Sequence, residues 1–178
     1  NESLEMAALG TIADMAPLIG ENRVIAIEGL KALKRTERPG FNALFSILKI
    51  DKGTLDHSTI PFIISPRINA PGRMGSPELS FRFLIEKELD KAEFLTKDIE
   101  NVNQQRRRLT QESLNLALED AAKQSESESL IVLFGEKYHL GLIGLIAGRV
   151  SEKYNRPAFV VTMQDGLLRG SGRSIPEF

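Results

Sequence analysis

The chain has 178 residues, of which 42% are hydrophobic and 26% charged, an ordinary composition for a soluble globular protein of one large or two small domains. It contains no cysteine, which excludes disulfides, thiolate metal sites and cysteine nucleophiles and fits a reducing compartment. No apolar run approaches the ~20 residues of a membrane span, and a formal net charge of −1 argues against nucleic-acid binding through a large basic excess.

The amino-terminal part is predicted to be helical. Residues 1–50 carry apolar side chains at helical spacing with short loops between them, most clearly in Arg23 to Arg35 and, over a shorter stretch, in Asn42 to Leu48. Asn1 to Leu9 has the pattern of a helix without its beginning, and Ser174 to Phe178 directly follows a glycine-rich strand end. Both ends are therefore expected to be cut, as in a piece of a longer protein.

The next segment is predicted to contain a strand and a loop. Thr59 to Ile64 is predicted to form a short strand, which runs into a loop rich in proline and glycine at Ser65 to Gly75. Ser76, Pro77 and Glu78 then supply an N-cap serine, a proline at the first helical position and an acid in the first turn. A new helix is therefore expected to open there.

Residues 87–123 contain neither glycine nor proline and are predicted to form one long helix. At ~1.5 Å per residue this helix would be roughly 55 Å long, too long for one small domain. Its heptad stripe, with polar interruptions at Arg106 and Ser113, consists of Ala92, Leu95, Ile99, Val102, Arg106, Leu109, Ser113 and Leu116. Apolar ends and a polar middle (Asn103 to Arg108) indicate a rod that joins two lobes.

The carboxy-terminal part has the element order of an α/β domain. The predicted elements are a polar linker Gln124 to Ser129, a buried strand Leu130 to Phe134, a helix Gly141 to Tyr154, a strand Pro157 to Met163 and a strand Leu167 to Ser171. The first two strands are expected to be parallel, because a helix connects them. Asp165-Gly166 is a hairpin turn signal, which predicts that the third strand folds back on the second.

Two aspartates invite comparison with metal ligands. Asp14 lies in an otherwise apolar segment, where a carboxylate is costly unless it is paired. It is either a capping residue before a proline turn or one carboxylate of a divalent-metal site. Asp56-His57-Ser58 is rejected as an Asp-His-His metal motif, because serine stands where the second histidine would be.

Polar residues of the predicted loop are candidates for phosphate contacts. Arg67 and Arg73 bracket Asn69 with no acid nearby in the sequence, and two guanidinium groups with an amide suit phosphate oxygens. The alternative is that both arginines bond to neighbouring carbonyls. Arg106 to Arg108 on the long helix are likewise either a solvated face or a phosphate-contacting one.

A second candidate anion site follows the last strand. In Gly170 to Ser174, free backbone N–H groups, the hydroxyls of Ser171 and Ser174 and the guanidinium of Arg173 could surround an anion. The alternative is a plain glycine–serine turn.

His139 stands just before a helix that contains Gly141, Gly144 and Gly148. Glycine costs up to ~1 kcal/mol in a helix relative to alanine, so three of them predict close packing of this helix against the sheet. His139 itself is either ligand-facing or structural.

Four segments together resemble the RecJ exonucleases of the DHH phosphoesterase superfamily. They are Ala8 to Asn22, Ser65 to Gly75, Tyr138 to Arg149 and Gly170 to Ile175. Each alone is a modest match, but their order, with the long helix between the second and third, is specific. The resemblance covers essentially the whole chain.

The resemblance implies an α/β fold made of the carboxy-terminal part of a DHH catalytic lobe (1–86), a connecting helix (87–123) and a partial DHHA1-type lobe (124–178), with DNA in the groove between the lobes. It also implies residue roles. Asp14 falls on a metal-binding aspartate, Arg67 and Arg73 on arginines facing the DNA, His139 on a histidine near the active site, and Ser171 and Arg173 on residues that hold the terminal phosphate. Asn69 and Ser174 complete the predicted phosphate-contacting set.

Members of this family remove nucleotides from the 5′ end of single-stranded DNA with Mn²⁺ or Mg²⁺. The resemblance therefore implies a cytoplasmic, metal-dependent hydrolase of DNA repair and recombination, with a helicase and a single-strand-binding protein as expected partners and no membrane association. The family's Asp-x-Asp and Asp-His-His motifs have no counterpart here. Because a two-metal site needs several carboxylates and imidazoles, this chain alone is expected to bind nucleic acid, to hold no metal tightly and to be inactive.

Three other functions stay open from the sequence. A DHH-superfamily phosphoesterase acting on short oligonucleotides or cyclic dinucleotides would not need the long helix. A catalytically inactive scaffold is disfavoured by the retention of Asp14, His139 and Arg173. A plain α/β domain with an unrelated binding role requires all four segment matches to be coincidence.

Overall fold

The computed structural model describes residues 2–124 and 128–176, which form two compact units. The first unit comprises the chain up to Gly72 together with Ser76–Asn103. The second comprises Arg73–Gly75 together with the chain from Gln104 onwards. The predicted α/β class is confirmed, since the first unit is helical and the second contains a three-stranded sheet.

Most of the helices lie in the first unit. In chain order the helices are α1 (Glu2–Ala13), α2 (Gly20–Leu33), α3 (Pro39–Leu48), α4 (Ser65–Met74), α5 (Glu78–Ile85) and α6 (Leu89–Ala121), with a short 3-10 turn at Lys52–Thr54. The helices predicted within the first 50 residues are confirmed as α2 and α3. Helix α3 begins with Pro39 at its first position, where the missing N–H costs nothing.

The strand predicted at Thr59 to Ile64 and the loop predicted at Ser65 to Gly75 are both wrong. Ile60–Ile64 is a π-helical turn that continues directly into α4, with Pro71 inside that helix. An internal proline costs about 3 kcal/mol, because it removes one backbone hydrogen bond and crowds the preceding turn. Ile60 and Ile64 are fully buried, and burying each side chain contributes about 1.5–3 kcal/mol. Tertiary packing therefore outweighs the local preference for a loop.

The helix predicted to open with Ser76 as N-cap and Pro77 as its first residue begins one residue later, with Pro77 at the N-cap position. The Ser76 hydroxyl accepts a hydrogen bond from the backbone N–H of Glu78 at 3.2 Å, and α5 starts at Glu78. Side chains from α1 to α6 and the π-helical turn build the core of this unit. Its largest fully buried members are Phe41, Phe83, Leu33, Leu44, Leu55, Ile60, Ile64 and Ile99.

The single long helix is confirmed as α6, which runs for 33 residues without a break at Arg106. Its buried stripe follows the prediction through Ala92, Leu95 and Ile99 but departs from it at the other end. Leu116 is 40% exposed, whereas Ala117 and Ala121 are buried. A straight helix with 3.6 residues per turn drifts away from a strict heptad stripe, which explains the shift.

The second unit contains the sheet. Its elements are β1 (Ile131–Phe134), a 3-10 turn (Leu140–Leu142), α7 (Ile143–Tyr154), β2 (Ala158–Gln164) and β3 (Leu167–Arg173). Strand order is β1-β2-β3, with β1 parallel and β3 antiparallel to β2, as predicted. Asp165 and Gly166 both have positive φ (54° and 74°), the conformation that two-residue hairpin turns require. The predicted linker at Gln124 to Ser129 lies partly outside the described residues.

One face of the sheet packs on α7 and the other is open. Strand β1 was expected to be buried throughout, but Val132 and Phe134 are 48% and 60% exposed while Ile131 and Leu133 are buried. Alternation of this kind marks a sheet with one covered face. Within the described ranges, no helix is both long and apolar enough to cross a membrane.

Asp120 near the end of α6 ties that helix to the loop after β1. Its carboxylate accepts hydrogen bonds from the buried Tyr138 hydroxyl at 2.8 Å, from Lys123 at 3.1 Å and from Lys137. These donors, Lys137 first, hold the pKa of Asp120 well below its usual range. Burial raises the pKa of Tyr138, so this hydroxyl stays protonated and serves as a structural donor.

Candidate nucleic-acid interface

In the second unit, the first turn of α7 lies directly against β3. A Cβ atom placed on Gly144 would stand 3.1 Å from Ser171 Oγ and 3.2 Å from Arg173 Nη2. Only a residue without a side chain lets these two groups approach the helix this closely. The expected close packing of the helix glycines on the sheet is therefore confirmed at Gly144, and it brings two predicted phosphate ligands to a helix amino terminus.

Ser171 and Arg173 lie on the same face of β3. They stand opposite Val160 and Ala158 of β2, whose buried side chains face α7. Arg173 Nη1 donates to Ser171 Oγ at 3.3 Å and to the carbonyl oxygen of Gly172 at 2.7 Å. These two hydrogen bonds hold one edge of the guanidinium in place. Arg173 is exposed, so the rest of the guanidinium faces solvent.

The electrostatics of this region favour an anion. In the part of the chain that the structure describes, no carboxylate forms an ion pair with Arg173 or with Arg73. The amino terminus of the 12-residue helix α7 adds the positive end of the helix dipole. A guanidinium without a carboxylate partner beside a helix amino terminus is a suitable environment for a phosphate group.

His139 and Arg73 both form a hydrogen bond with Gly141, which lies in the 3-10 turn before α7. His139 is exposed and caps the 3-10 turn, where its Nδ1 accepts a hydrogen bond from the Gly141 N–H at 3.2 Å. Arg73 Nη1 donates to the Gly141 carbonyl oxygen over a long 3.4 Å. A Cβ on Gly141 would lie 1.8 Å from the Arg73 carbonyl oxygen, so Gly141 packs against a helix end and not against the sheet. The third glycine, Gly148, is less constrained, with Arg173 Cγ at 3.9 Å as its nearest neighbour.

Four of the predicted site residues thus belong to the second unit and surround the start of α7: Arg73, His139, Ser171 and Arg173. Ser174 follows β3, and its hydroxyl donates to the carbonyl oxygen of Ile175 at 3.3 Å. The sequence had marked the glycines for packing alone. It missed that Gly144 lets Ser171 and Arg173 approach the helix closely. The position of Gly144 at the beginning of the helix was the signal that could have indicated this role.

Arg67 has a different environment in the first unit. Its Nε donates to a Glu100 carboxylate oxygen at 2.7 Å and its Nη1 to the Ile63 carbonyl oxygen at 2.6 Å. No acid lies near this arginine in the sequence, but folding brings Glu100 of α6, 33 positions away, into contact with it. Asn69 is exposed on α4.

Asp14 is exposed in the turn after α1, which leaves both of its predicted roles open. Among residues 2–124 and 128–176, no group of three or more histidine, cysteine, aspartate or glutamate side chains could hold a metal ion. Asp56 behaves as a capping residue: hydrogen bonds from the Ser58 hydroxyl and from the backbone and hydroxyl of Thr59 keep its pKa well below the usual range. Its rejection as a metal motif is consistent with this geometry.

The arginines in the middle of α6 differ in exposure. Arg107 and Arg108 are exposed, and Arg108 lies 3.7 Å from Glu112 one turn later, whereas Arg106 is half-buried. Such an exposed intrahelical pair is worth only a few tenths of a kcal/mol. Arg107 and Arg108 therefore lie on a solvated helix face, and Arg106 does not.

No family model matches the chain. Among curated proteins, the single-stranded-DNA-specific exonuclease RecJ of Bacillus subtilis (strain 168) is 33% identical over 180 residues, which cover 100% of this chain and 23% of that protein. Crystal structures of RecJ from Thermus thermophilus in complex with Mg²⁺ and with Mn²⁺ match at 32% identity, with TM-scores of 0.86 and 0.85. These matches cover 98% of this chain and 27% and 25% of the solved chains.

The chain spans about a quarter of the length of these relatives. The similarity extends over both units and includes the start of α7 and strand β3, since almost no residue of the chain lies outside the matched region. Sequence identity and fold agree on one conclusion: the chain belongs to the RecJ family, and it corresponds to a part of the length of its members.

Proposed function

We propose that this chain binds single-stranded DNA as part of a 5′-to-3′ exonuclease, and that the start of α7 holds a phosphate group of the strand. The observation that carries the proposal is the placement of Arg173. Its guanidinium is exposed, lacks a carboxylate partner among the described residues and rests on Gly144 beside a helix amino terminus.

Arg173 and Ser171 are the proposed ligands of the 5′-terminal phosphate. Arginine binds a phosphate through two parallel hydrogen bonds, and the Ser171 hydroxyl lies on the same side of β3, within 3.3 Å of the guanidinium. The hydrogen bond to the Gly172 carbonyl oxygen orients the guanidinium before any ligand arrives. Arg73, Asn69, Ser174 and Arg67 are proposed as further contacts, with Arg67 the weakest of them because Glu100 already neutralises it.

The intact enzyme is proposed to use Mn²⁺ or Mg²⁺, the ions present in the Thermus thermophilus structures. The residues described here do not fit a two-metal site, because such a site needs several carboxylates and imidazoles and Asp14 is an exposed, single carboxylate. Asp14 is proposed to supply one metal ligand of the intact protein. The chain's own contribution is then to bind and orient the strand.

The wider role rests on the family membership alone. We expect the parent protein to act in DNA repair and recombination in the cytoplasm, with a helicase and a single-strand-binding protein as partners. A phosphoesterase of short oligonucleotides or cyclic dinucleotides and an inactive scaffold are not favoured, because the relative is named a single-stranded-DNA-specific exonuclease.

The test compares Arg173→Ala with Arg169→Ala, an exposed arginine on the same strand. Each variant of this chain is titrated with oligothymidylate that carries either a 5′-phosphate or a 5′-hydroxyl, and melting is followed in parallel. Losing a charge-assisted contact costs about 1.5–3 kcal/mol, so Arg173→Ala should weaken binding of the phosphorylated strand roughly 10- to 150-fold. Arg169→Ala should change it little.

Two results would count against the proposal. Equal losses on both strands would show that Arg173 does not recognise the terminal phosphate. A large drop in melting temperature for Arg173→Ala alone would show that this arginine is structural.

A further inference from the structure

We propose that His139 donates a hydrogen bond from Nε2–H to a phosphate oxygen of the bound strand, and that the backbone of Gly141 fixes it in this role. The inference deepens the function proposed above and rests on it. It assigns a protonation state to one ring and a positioning role to one glycine.

A hydrogen bond inside the cap determines which nitrogen of the His139 ring carries the proton. The Gly141 N–H points at His139 Nδ1, 3.2 Å away, and a nitrogen that accepts a hydrogen bond carries no proton. In a neutral imidazole one nitrogen is always protonated, so the proton of His139 is on Nε2. The ring therefore presents an N–H donor to its surroundings.

The cap also fixes the orientation of the His139 ring. The N–H groups at the start of a helical segment have no acceptor one turn earlier, and a capping side chain normally satisfies one of them. If the His139 ring were flipped, a carbon would replace Nδ1 and the Gly141 N–H would lose this acceptor. The cap thus selects one ring orientation and one tautomer together.

His139 is exposed although its Nδ1 is engaged in the cap. Among the described residues, Nε2 has no hydrogen-bond partner. His139 belongs to the same helix start as Gly144, on which Ser171 and Arg173 rest. The neutral Nε2–H of His139 can donate a hydrogen bond to an anion that is bound beside that helix start.

Gly141 links this histidine to Arg73. Its N–H donates to His139, its carbonyl oxygen accepts from Arg73 Nη1 at 3.4 Å, and a Cβ at this position would lie 1.8 Å from the Arg73 carbonyl oxygen. No side chain fits there without a shift of backbone. Gly141 is therefore a positioning residue, which holds the histidine through its N–H and the guanidinium through its carbonyl oxygen.

This arrangement is the opposite of a metal-ligating histidine. A histidine that binds a metal usually donates its other ring N–H to a carboxylate or carbonyl and offers a lone pair to the ion. In His139, Nδ1 accepts a hydrogen bond, so Nε2 holds the proton and has no lone pair to offer to a metal ion. The geometry points to phosphate recognition and not to metal ligation for this residue.

The tautomer can be read directly by ¹⁵N NMR of the imidazole rings, because the chain has only two histidines, His57 and His139. Spectra of the wild-type chain and of His139→Gln assign the two rings. The expected pattern for His139 is an unprotonated Nδ1 and a protonated Nε2, with the Nε2 signal shifting when 5′-phosphorylated oligothymidylate is added. A protonated Nδ1 would overturn the proposal.

Two substitutions separate the cap from the donor. His139→Asn places a side-chain oxygen at the position of Nδ1 and keeps the cap, whereas His139→Gln places an amide N–H near the position of Nε2 and loses the cap. The asparagine variant should retain its melting temperature and bind the phosphorylated strand about 10-fold more weakly. The glutamine variant should melt earlier and bind more tightly than the asparagine variant. His57→Asn is the matched control and should change neither property.

The outcomes distinguish the phosphate site at Arg173 from the donor role of His139. If Arg173→Ala weakens binding and His139→Asn does not, the phosphate site stands and the donor role of His139 is refuted. If the wild-type chain binds neither the 5′-phosphorylated nor the 5′-hydroxyl strand, both proposals fail together.

Discussion

Two arginine-bearing segments that look equivalent in the sequence have opposite electrostatic environments in the structure. Arg67 is largely buried and pairs with Glu100 at 2.7 Å, with side chains 14% and 16% exposed. Arg173 is exposed, and its partners are a hydroxyl and a carbonyl oxygen, neither of which carries a charge. A guanidinium that a carboxylate has already neutralised contributes mainly to stability, whereas one held by neutral acceptors keeps its charge available for a ligand.

The difference comes from what stands opposite each arginine. Helix α6 supplies an acid at Glu100, while the first turn of α7 supplies Gly144 and the positive end of a helix dipole. The number of arginines in a segment therefore says little about anion binding. Substitutions at Arg67 and at Arg173 that had the same effects on stability and on strand binding would contradict this difference.

The largest effect is expected from Glu100→Ala. Removing one partner of a mostly buried pair leaves the other charge uncompensated, which costs about 3 kcal/mol of the free energy of unfolding. Urea unfolding of the variant checks this, with Glu93→Ala on the exposed side of α6 as the control, expected within about 0.5 kcal/mol of wild type. Where the variant is folded, strand affinity should change much less than it does in Arg173→Ala. Equal effects of the two substitutions would mean that the Arg67–Glu100 pair is not structural.

An intermediate effect is expected from replacing each arginine by lysine. Lysine keeps the charge but cannot form two parallel hydrogen bonds, so Arg173→Lys should weaken binding of a 5′-phosphorylated strand by about 1 kcal/mol, roughly fivefold, and leave melting unchanged. Arg67→Lys should lower the melting temperature and weaken binding less than Arg173→Lys does, because Glu100 already neutralises Arg67. Titration and thermal melting are measured for both variants. Weaker binding in Arg67→Lys than in Arg173→Lys, or a lower melting temperature in Arg173→Lys than in Arg67→Lys, would refute this expectation.

The smallest effect is expected from Gly144→Ala. A Cβ here meets Ser171 Oγ and Arg173 Nη2 at 3.1 and 3.2 Å, so these groups must move by a few tenths of an ångström. Affinity for the phosphorylated strand should fall roughly threefold. Stability should stay level or rise by up to about 1 kcal/mol, because alanine favours a helix.

Gly148→Ala is the matched control, since its nearest neighbour is Arg173 Cγ at an ordinary 3.9 Å. It should gain stability without any loss of affinity. A loss of affinity in Gly148→Ala as large as that in Gly144→Ala would show that the site does not depend specifically on the absence of a side chain at Gly144.

Elements with a strong local signal were predictable. Helix α6 has no glycine or proline and a regular apolar stripe, so its existence and its lack of a break followed from periodicity. The strand–helix–strand unit and its hairpin followed from two apolar runs, a helix between them and Asp165-Gly166. Of the site, the sequence could mark Arg73, His139, Ser171 and Arg173 by type and position.

The segment from Thr59 to Gly75 shows where prediction failed. Its prolines and glycines favour a loop locally, but the burial of Ile60 and Ile64 makes a helical path more stable. The Arg67–Glu100 pair was equally out of reach, because it joins residues 33 positions apart. Neither the depth of burial nor a partner on another helix can be read from neighbouring residues.

The sequence by itself determined which elements form in the second unit, which residue types could contact a phosphate and, through four ordered segments, the family resemblance. Only the tertiary structure decided which arginine is neutralised, that Gly144 supports Ser171 and Arg173, and that the Gly141 N–H meets His139 Nδ1. The reason is physical. Secondary structure follows from backbone preferences and apolar periodicity within a short stretch of chain, whereas the charge state and orientation of a side chain depend on the groups that folding brings within about 3–4 Å of it.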